Sequence, residues 1–343
     1  MNFDSGIALI LAIQNLGAWL EAPLRFFTFL GTENFYLLVL PILYWCVDSN
    51  LGLRVGVILL LGSGINDIFK LALHSPRPYW VSAQVKALSA ESSFGTPSGH
   101  SQSAVGVWGM LASYIGKPWA WVVAIIMAFL IGFSRMYLGV HFGGDVLSGW
   151  LLGALILFAV LRLWDSIGNW VAKKGLAQQA ALAFATSLTM ILLGAFFVYG
   201  LRDYSPPAEW MTNAARAADD LPAPVSMNSI ITSAATLFGL ALGVAWMRQM
   251  GGFQASGPVE KRALRYIVGF VGVVIFWYGL GAIFPRDEAL VSYTLRFIRY
   301  ALVGWWVSGG APWLFLRFKL AEKPNKREAS VIIAAPRTYS QRL

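Results

Sequence analysis

The stretch S-R-M-Y-L-G-V-H-F-G-G-D at residues 134–145 lies between two strongly apolar runs of the chain. It is therefore predicted to form a short turn between one membrane helix and the next. Ionisable side chains are costly beside lipid and usually mark a functional site, yet this turn contains Arg135, His141 and Asp145. The turn is thus the first candidate for a site of chemistry.

The spacing within this turn suggests a role for each ionisable group. His141 and Asp145 are four residues apart and share one helical face if the helix begins near His141. The carboxylate can then hold a proton on one imidazole nitrogen and leave the other nitrogen free to attack. Arg135 offers a planar fork of donors that suits a phosphate. A capping Asp, a snorkelling Arg and a hydrogen-bonded structural His are the alternative interpretation.

The composition is that of a polytopic membrane protein. Of the 343 residues, 57% are hydrophobic and 13% are charged, and the mean hydropathy is +0.61, whereas a soluble domain carries about 25% charged residues. The length accommodates about eight to ten spans. The net charge of +9 does not indicate a nucleic-acid partner, because the basic residues lie in loops between apolar runs, as the positive-inside rule expects.

The apolar runs predict an all-α membrane protein with short loops. Residues 6–20 form either a short first span or a helix that lies in the membrane interface, and residues 74–97 form a polar loop. The other apolar runs lie at residues 34–47, 51–73, 99–115, 119–134, 146–164, 177–201, 227–247, 264–284 and 295–318. We predict four parts: a catalytic core at 1–165, a basic linker at 166–176, a C-terminal transmembrane module of unknown role at 177–318, and a basic flexible tail at 319–343.

The distribution of basic residues predicts the orientation. Sixteen of the 26 Lys and Arg residues fall in loops and the tail on one side of the predicted membrane, and ten fall on the other. Because the richer side is expected to be cytoplasmic, the 134–145 turn and the 74–97 loop face the non-cytoplasmic side. The expected location is an inner or plasma membrane of bacterial type.

Three polar stretches on that side together resemble the signature of the type 2 phosphatidic acid phosphatase (PAP2) superfamily. The family pattern is K-x6-R-P, then P-S-G-H, then S-R-x5-H-x3-D. All eleven fixed positions are matched, at Lys70, Arg77, Pro78, Pro97, Ser98, Gly99, His100, Ser134, Arg135, His141 and Asp145. The resemblance covers about residues 1–165 and implies a six-helix core, to which about four further transmembrane helices are added here.

The resemblance implies a role for each matched residue. His141 would be the nucleophile that forms a phospho-histidine, Asp145 would orient it, and His100 would protonate the leaving group and later activate water. The phosphate-binding residues would be Lys70, Arg77, Ser98, Gly99 and Arg135. No cofactor is expected. A metal centre has little support, because the chain has three His and one Cys and no paired carboxylates near the predicted site.

A site at the membrane surface suits a lipid phosphate, such as phosphatidic acid, a sphingoid-base phosphate or a polyprenyl phosphate. Two other classes of function stay open at this point. One is a phosphotransferase that passes the phosphoryl group to a lipid or sugar acceptor, and the other is a lipid transporter or binding protein on the same fold. Membrane lipids are expected partners, and a homo-oligomer is possible, whereas the hydropathy argues against a soluble haloperoxidase with the same motifs.

Four further residues near the motifs carry weaker expectations. His74 lies outside the fixed pattern and is either a headgroup contact or incidental. Tyr79, Trp80 and Tyr137 are predicted to be aromatic anchors in the membrane interface, with the substrate entrance as their alternative location.

Overall fold

The computed structural model describes residues 3–216, 222–285 and 287–324, and within these ranges the chain is helical, without strands. The prediction of an all-α membrane protein is confirmed. The helices are α1 Asp4–Gln14, α2 Glu21–Phe29, α3 Glu33–Ile42, α4 Ser49–Leu73, α5 Pro78–Val81, α6 Gly99–Ile115, α7 Pro118–Tyr137, α8 Gly143–Ala172, α9 Leu176–Gly200, α10 Ala208–Ala214, α11 Asn228–Gln249, α12 Val259–Val274, α13 Leu280–Ile283, α14 Leu290–Trp305 and α15 Ala311–Arg317. Short π-helical segments at Leu43–Val47, Ile275–Gly279 and Trp306–Gly310 continue α3, α12 and α14.

Six helical segments within the described ranges are long and apolar enough to cross a membrane, or seven if the bent pair α1–α2 forms one span. The six are Ser49–Val81, Pro118–Tyr137, Gly143–Ala172, Leu176–Gly200, Asn228–Gln249 and Val259–Ile283. This number is lower than the eight to ten spans predicted. The predicted runs at 34–47, 99–115 and 295–318 are not among the six, and two of them form short helices: α6 has 17 residues, and the α3 segment, Glu33–Val47, is also short.

The N-terminal apolar run at residues 6–20 is a broken helix. Helix α1 ends at Gln14, and the chain resumes at Ala18–Leu20 and α2 after a bend of 84°. Gly17 lies at the break with φ +119°, a backbone conformation that glycine adopts without steric cost.

Helices α6 and α7 form a hairpin whose ends are set by the sequence. Ser98 caps α6 by accepting from the Ser101 amide at 3.4 Å, and Gly116 ends it in the left-handed conformation at φ +65°. Pro118 then opens α7, where the missing N–H of proline costs nothing. Because the hairpin is antiparallel, the start of α6 and the end of α7 lie at the same end of the pair.

The chain forms two compact units, whose boundaries fall within α3, α4, α8 and α9 and directly before α11. The first unit comprises Met1–Tyr36, Ile65–Leu157 and Leu193–Met227, and it contains all eight predicted site residues. Its interior includes a cluster of buried Ala104, Ala128 and Ile131. The predicted core is one continuous range, 1–165, whereas each unit combines separate segments of the chain. The predicted boundary at residue 165 therefore stays a prediction. The predicted linker at 166–176 is helical as far as Ala172.

The second unit comprises Leu37–Gly64, Phe158–Leu192 and Asn228–Leu343. Its interior is built around Trp45, which is fully buried and donates from Nε1 to the Val307 carbonyl at 2.8 Å. Arg265 is also fully buried, and its guanidinium donates to the Trp45 carbonyl at 2.9 Å. Helices α11 and α14 pack so closely that a Cβ at Gly239 would collide with the facing backbone. Small residues permit this close approach of two helices. The predicted tail is described only up to residue 324, and 325–343 lie outside the described residues.

Candidate active site

The three predicted motifs converge at one end of the helices of the first unit. Lys70 lies in the last turn of α4, and Arg77 is the residue before α5. Arg135 lies in the last turn of α7, His141 is in the following turn, and Asp145 is in the first turn of α8. The second motif opens α6 with Ser98, Gly99 and His100. Helix ends thus carry the whole set, as the position of the motifs between apolar runs predicts.

The contacts of His141 define which nitrogen carries its proton. Nε2 lies 3.2 Å from Nη1 of Arg77, and Nδ1 lies 3.3 Å from Oδ2 of Asp145. A guanidinium can only donate, so Nε2 must be the acceptor, and the hydrogen therefore lies on Nδ1 and points at the carboxylate. Burial, together with Arg77, lowers the pKa of His141 well below its usual value. The neutral ring thus keeps a lone pair on Nε2, the nitrogen that faces the cations.

Asp145 is held in place by three donors. The Phe142 amide donates to Oδ2 at 2.9 Å, Thr96 Oγ1 donates to Oδ1 in a short hydrogen bond, and His141 is the third partner. The carboxylate is buried, with a side-chain exposure of 5%. A carboxylate fixed in this way at the start of α8 is rigid, so it constrains the orientation of the imidazole.

Arg77 connects His141 to the loop that precedes α6. Its side chain is fully buried. Nε donates to the Ser93 carbonyl at 2.7 Å, Nη1 to the Val140 carbonyl at 2.9 Å, and Nη2 to the Phe94 carbonyl at 3.0 Å. Nη2 also lies 3.1 Å from Ser93 Oγ, to which Lys70 Nζ donates at 2.9 Å. Two of the predicted cations therefore meet at Ser93.

The start of α6 is anchored to the start of α8. The Ser98 amide donates to the Asp145 carbonyl at 2.9 Å, and the Ser98 side chain is buried. The His100 ring packs against Gly31, where an added Cβ would lie 3.0 Å from His100 Cδ2. These contacts fix the second motif beside the third.

The motifs and their geometry agree with the comparisons to known proteins. The profile of the PAP2 superfamily matches residues 51–168, and that of the "PAP2 superfamily phosphatase, transmembrane extension" matches residues 231–323. Phosphatidylglycerophosphatase B of Bacillus subtilis (strain 168) is 33% identical over 155 residues, which cover 41% of this chain and 74% of that protein. The chain belongs to the PAP2 superfamily.

Two further similarities differ in extent. Glucose-6-phosphatase 3 of Bos taurus is 26% identical over an alignment that covers 96% of this chain and 99% of that protein. The crystal structure of a transmembrane PAP2-type phosphatidylglycerolphosphate phosphatase from Bacillus subtilis covers 47% of this chain and 86% of its own, with 28% identity and a TM-score of 0.40. The superfamily profile and the phosphatase relatives confirm the predicted resemblance, and this PAP2 protein is a phosphatase, a phosphoric monoester hydrolase.

One carboxylate lies among the cations of the site but does not belong to the PAP2 motifs. Glu91 Oε1 is in short contact with Arg135 Nη2, and Oε2 lies 4.0 Å from Arg77 Nη2. Burial raises the pKa of Glu91, but Arg135 and Arg77 more than offset this and hold it far below the usual value. The sequence contained one signal for this residue: Glu91 is the single acidic residue between Asp67 and Asp145.

Thr28 and Tyr79 were also missed as partners of the site. Thr28 Oγ1 accepts from Arg135 Nη1 at 2.7 Å. The Tyr79 hydroxyl donates to the Glu91 carbonyl and accepts from the Glu91 amide, both at 3.1 Å. Both partners lie far from the cations in sequence or outside the motifs, so no pattern in the sequence marks them.

The aromatic residues near the site are not interfacial anchors. The prediction for Tyr79, Trp80 and Tyr137 was wrong, because all three are buried in the protein interior, at 1–2% exposure. Hydrogen bonds account for two of these positions: Tyr79 holds Glu91, and the Tyr137 hydroxyl donates to the Gly17 carbonyl at 2.9 Å.

His74 lies outside the charged cluster. It is exposed and has a φ of +36°. Its ring contacts Phe94 and Tyr204, with centroid distances of 6.3 Å and 5.6 Å. His74 therefore contributes to an aromatic cover over the Phe94 side of the site.

A cavity of about 270 Å³ adjoins the site on the side of Asp145. Its lining comes from Asp145 and from Phe3, Ser5, Gly6, Ser75, Pro76, Thr96 and Phe142. The cavity thus reaches Asp145, whereas Nε2 of His141 faces Arg77.

Proposed function

We propose that the protein hydrolyses a phosphate monoester through a phospho-histidine on His141. The observation that carries this proposal is the pair of contacts that fixes the imidazole, with Asp145 on Nδ1 and Arg77 on Nε2. The arrangement favours the neutral tautomer with its lone pair on Nε2. This is the tautomer that nucleophilic attack requires.

The reaction would proceed in two steps that balance. First, Nε2 of His141 bonds to phosphorus as the bond to the leaving oxygen breaks, and protonated His100 donates its proton to that oxygen. Then His100 takes a proton from water, the water oxygen bonds to phosphorus, and the N–P bond breaks to release phosphate. Asp145 stabilises the imidazolium during both steps.

The cations would stabilise the charge that develops on the phosphoryl oxygens. Arg77 and Arg135 supply two guanidinium charges, and Lys70 lies next to Arg77 at Ser93. Groups positioned in this way before the reaction supply the largest share of stabilisation in many enzymes. We therefore expect activity to be independent of divalent ions, and an activity that is lost in EDTA and restored by a divalent ion would contradict this.

We propose a lipid phosphate as the substrate. The PAP2 superfamily profile matches residues 51–168, which contain all three motifs, and phosphatidylglycerophosphatase B is 33% identical over 155 residues. The site lies at helix ends, where a phosphate can meet the cations while acyl chains stay in the membrane. A second candidate is a water-soluble sugar phosphate, because glucose-6-phosphatase 3 matches nearly the whole length of the chain, including the extension.

One screen tests the function and separates the two substrates. Purified protein is assayed for phosphate release from phosphatidic acid, phosphatidylglycerol phosphate and sphingosine phosphate in mixed micelles, and from glucose 6-phosphate in solution. We expect the highest kcat/KM on a lipid phosphate and no release by His141→Ala. Preference for glucose 6-phosphate would favour the second candidate, and release that survives in His141→Ala would contradict the mechanism.

We further propose that the site faces the non-cytoplasmic side of the membrane. The support is the excess of Lys and Arg on the opposite side, sixteen against ten. A lipid phosphate in the outer leaflet of a bacterial inner membrane, or in an equivalent leaflet of a plasma membrane, would then reach the site directly.

A further inference from the structure

Glu91 occupies the place among the cations that a phosphate would need. Its carboxylate contacts Arg135 Nη2 and lies 4.0 Å from Arg77 Nη2. The side chains of the two arginines are 2% and 0% exposed, whereas that of Glu91 is 26% exposed. The carboxylate therefore approaches the buried guanidinium groups from the more open side.

The segment around Glu91 is fastened over the cations. Tyr79 holds the Glu91 backbone through both its amide and its carbonyl. Two and three residues further on, the Ser93 and Phe94 carbonyls accept from Arg77. Residues 91–94 thus cover the cations and take up N–H groups that would otherwise face a ligand.

A carboxylate and a phosphate bind to a guanidinium through the same kind of interaction. Both are oxyanions that accept charge-assisted hydrogen bonds from the N–H fork. One N–H cannot serve both anions with good geometry, so the two compete for Arg135. Arg77 Nη1 likewise donates to His141 Nε2, so a phosphate that reaches the nucleophile must take over this donor too.

We propose that Glu91 is a resident anion that holds the phosphate-binding cations in the empty enzyme and that the phosphate of the substrate displaces it. This inference rests on the proposed phosphate site and adds a specificity-determining residue to it. The Glu91 carboxylate moves away from Arg135 when phosphate enters and returns when the product leaves. The competition weakens the binding of inorganic phosphate, and so it limits product inhibition.

The test is the affinity for inorganic phosphate in Glu91→Gln. The substitution removes the charge and keeps the size, so the competing anion is lost. If the cations are open in about one wild-type molecule in ten, the affinity should rise about tenfold, because the apparent affinity scales with the open fraction. We expect a tenfold lower competitive Ki for phosphate and a matching fall in the dissociation constant from calorimetry on the full-length protein in detergent.

Glu209→Gln is the matched control, since Glu209 is exposed on α10, and it should leave both constants unchanged. A structural role alone would lower the thermal stability of Glu91→Gln without tightening phosphate binding. Unchanged or weaker phosphate binding in a folded Glu91→Gln would overturn the inference, as would absence of phosphate binding by both proteins.

Tyr79→Phe decides the matter if Glu91→Gln does not fold. It removes the hydroxyl that fastens the Glu91 backbone and should tighten phosphate binding in the same direction, whereas unchanged binding would overturn the inference. Calorimetry needs no turnover, so a protein that binds phosphate more tightly after the substitution but hydrolyses nothing would contradict the proposed function and support this inference.

Discussion

Arg77→Lys tests whether the geometry of the guanidinium, rather than its charge, organises the site. Arg77 uses three nitrogens to reach the Ser93, Val140 and Phe94 carbonyls, and it also contacts Ser93 Oγ and His141 Nε2. A lysine keeps the charge but has one nitrogen with three hydrogens. The lysine nitrogen can therefore replace at most three of the five contacts. It cannot at the same time reach partners that lie on opposite sides of the guanidinium fork.

The expected magnitude follows from the contacts that are lost. A buried polar group left without its partner costs about 1–3 kcal/mol, so two lost contacts amount to roughly 2–6 kcal/mol. About 3 kcal/mol of this in the transition state corresponds to a fall of about 10²-fold in kcat/KM. Part of the cost will appear as lower thermal stability, because the Ser93 and Phe94 carbonyls lose their donors in the folded protein.

The assay compares kcat/KM on a nitrophenyl phosphate and on the preferred lipid phosphate, with the melting temperature measured on the same samples. Arg202→Lys is the control, because Arg202 is exposed and forms an ion pair with its neighbour Asp203, away from the charged cluster. We expect the control to match the wild type. An Arg77→Lys protein with full stability and kcat/KM within about threefold of the wild type would refute the reasoning, since a fall of 10²-fold is expected.

Three other perturbations address the nucleophile, the orientation and the resident carboxylate. His141→Ala should abolish turnover on every ester, whereas His100→Ala should lose about 10²–10⁴-fold on an alkyl phosphate and far less on a nitrophenyl phosphate, whose leaving group needs little protonation. Equal losses on both esters would reverse this assignment. A cysteine introduced at Gln84 in a Cys46→Ala background should react with an impermeant maleimide on intact cells, and labelling only after permeabilisation would reverse the orientation. Because the pKa of Glu91 is depressed in the folded state, its stabilising charge is present above about pH 4.3 and is lost as the pH falls towards the folded-state value. The difference in melting temperature between wild type and Glu91→Gln should therefore shrink below about pH 4.3, and a constant difference would contradict the pairing.

The sequence predicted the parts of the fold and site that depend on local pattern. Apolar runs predict the helices because a membrane helix must satisfy its backbone polar groups within itself. The runs at 177–201 and 227–247 match α9 and α11 to within two residues at each end. The spacing of His141 and Asp145 predicted their contact, although α8 begins at Gly143 and His141 therefore lies just before the helix rather than on its face. Such features need no knowledge of which helices pack against each other.

The rest depended on tertiary contacts that have no local signature. Glu91 lies in a polar loop, and its place among the cations is set by Tyr79, twelve residues earlier, and by Arg135, 44 residues later. Trp80 looked like an interfacial aromatic because amphipathic rings favour the interface, yet it is 1% exposed. Its burial depends on what packs over α5, and the periodicity of one helix cannot predict this.

Part of the chain beyond the motifs packs directly on the site. The first unit includes Leu193–Met227, where Tyr204 contacts Phe94 at a centroid distance of 5.8 Å and Asn213 donates to the Trp80 carbonyl at 3.0 Å. Phe94 in turn accepts from Arg77 through its own carbonyl. A contact chain therefore runs from Tyr204 through Phe94 to the guanidinium that faces His141. Because rigid second-layer contacts are what hold catalytic groups in place, the segment after α9 belongs to the support of the site, although the motifs end at Asp145.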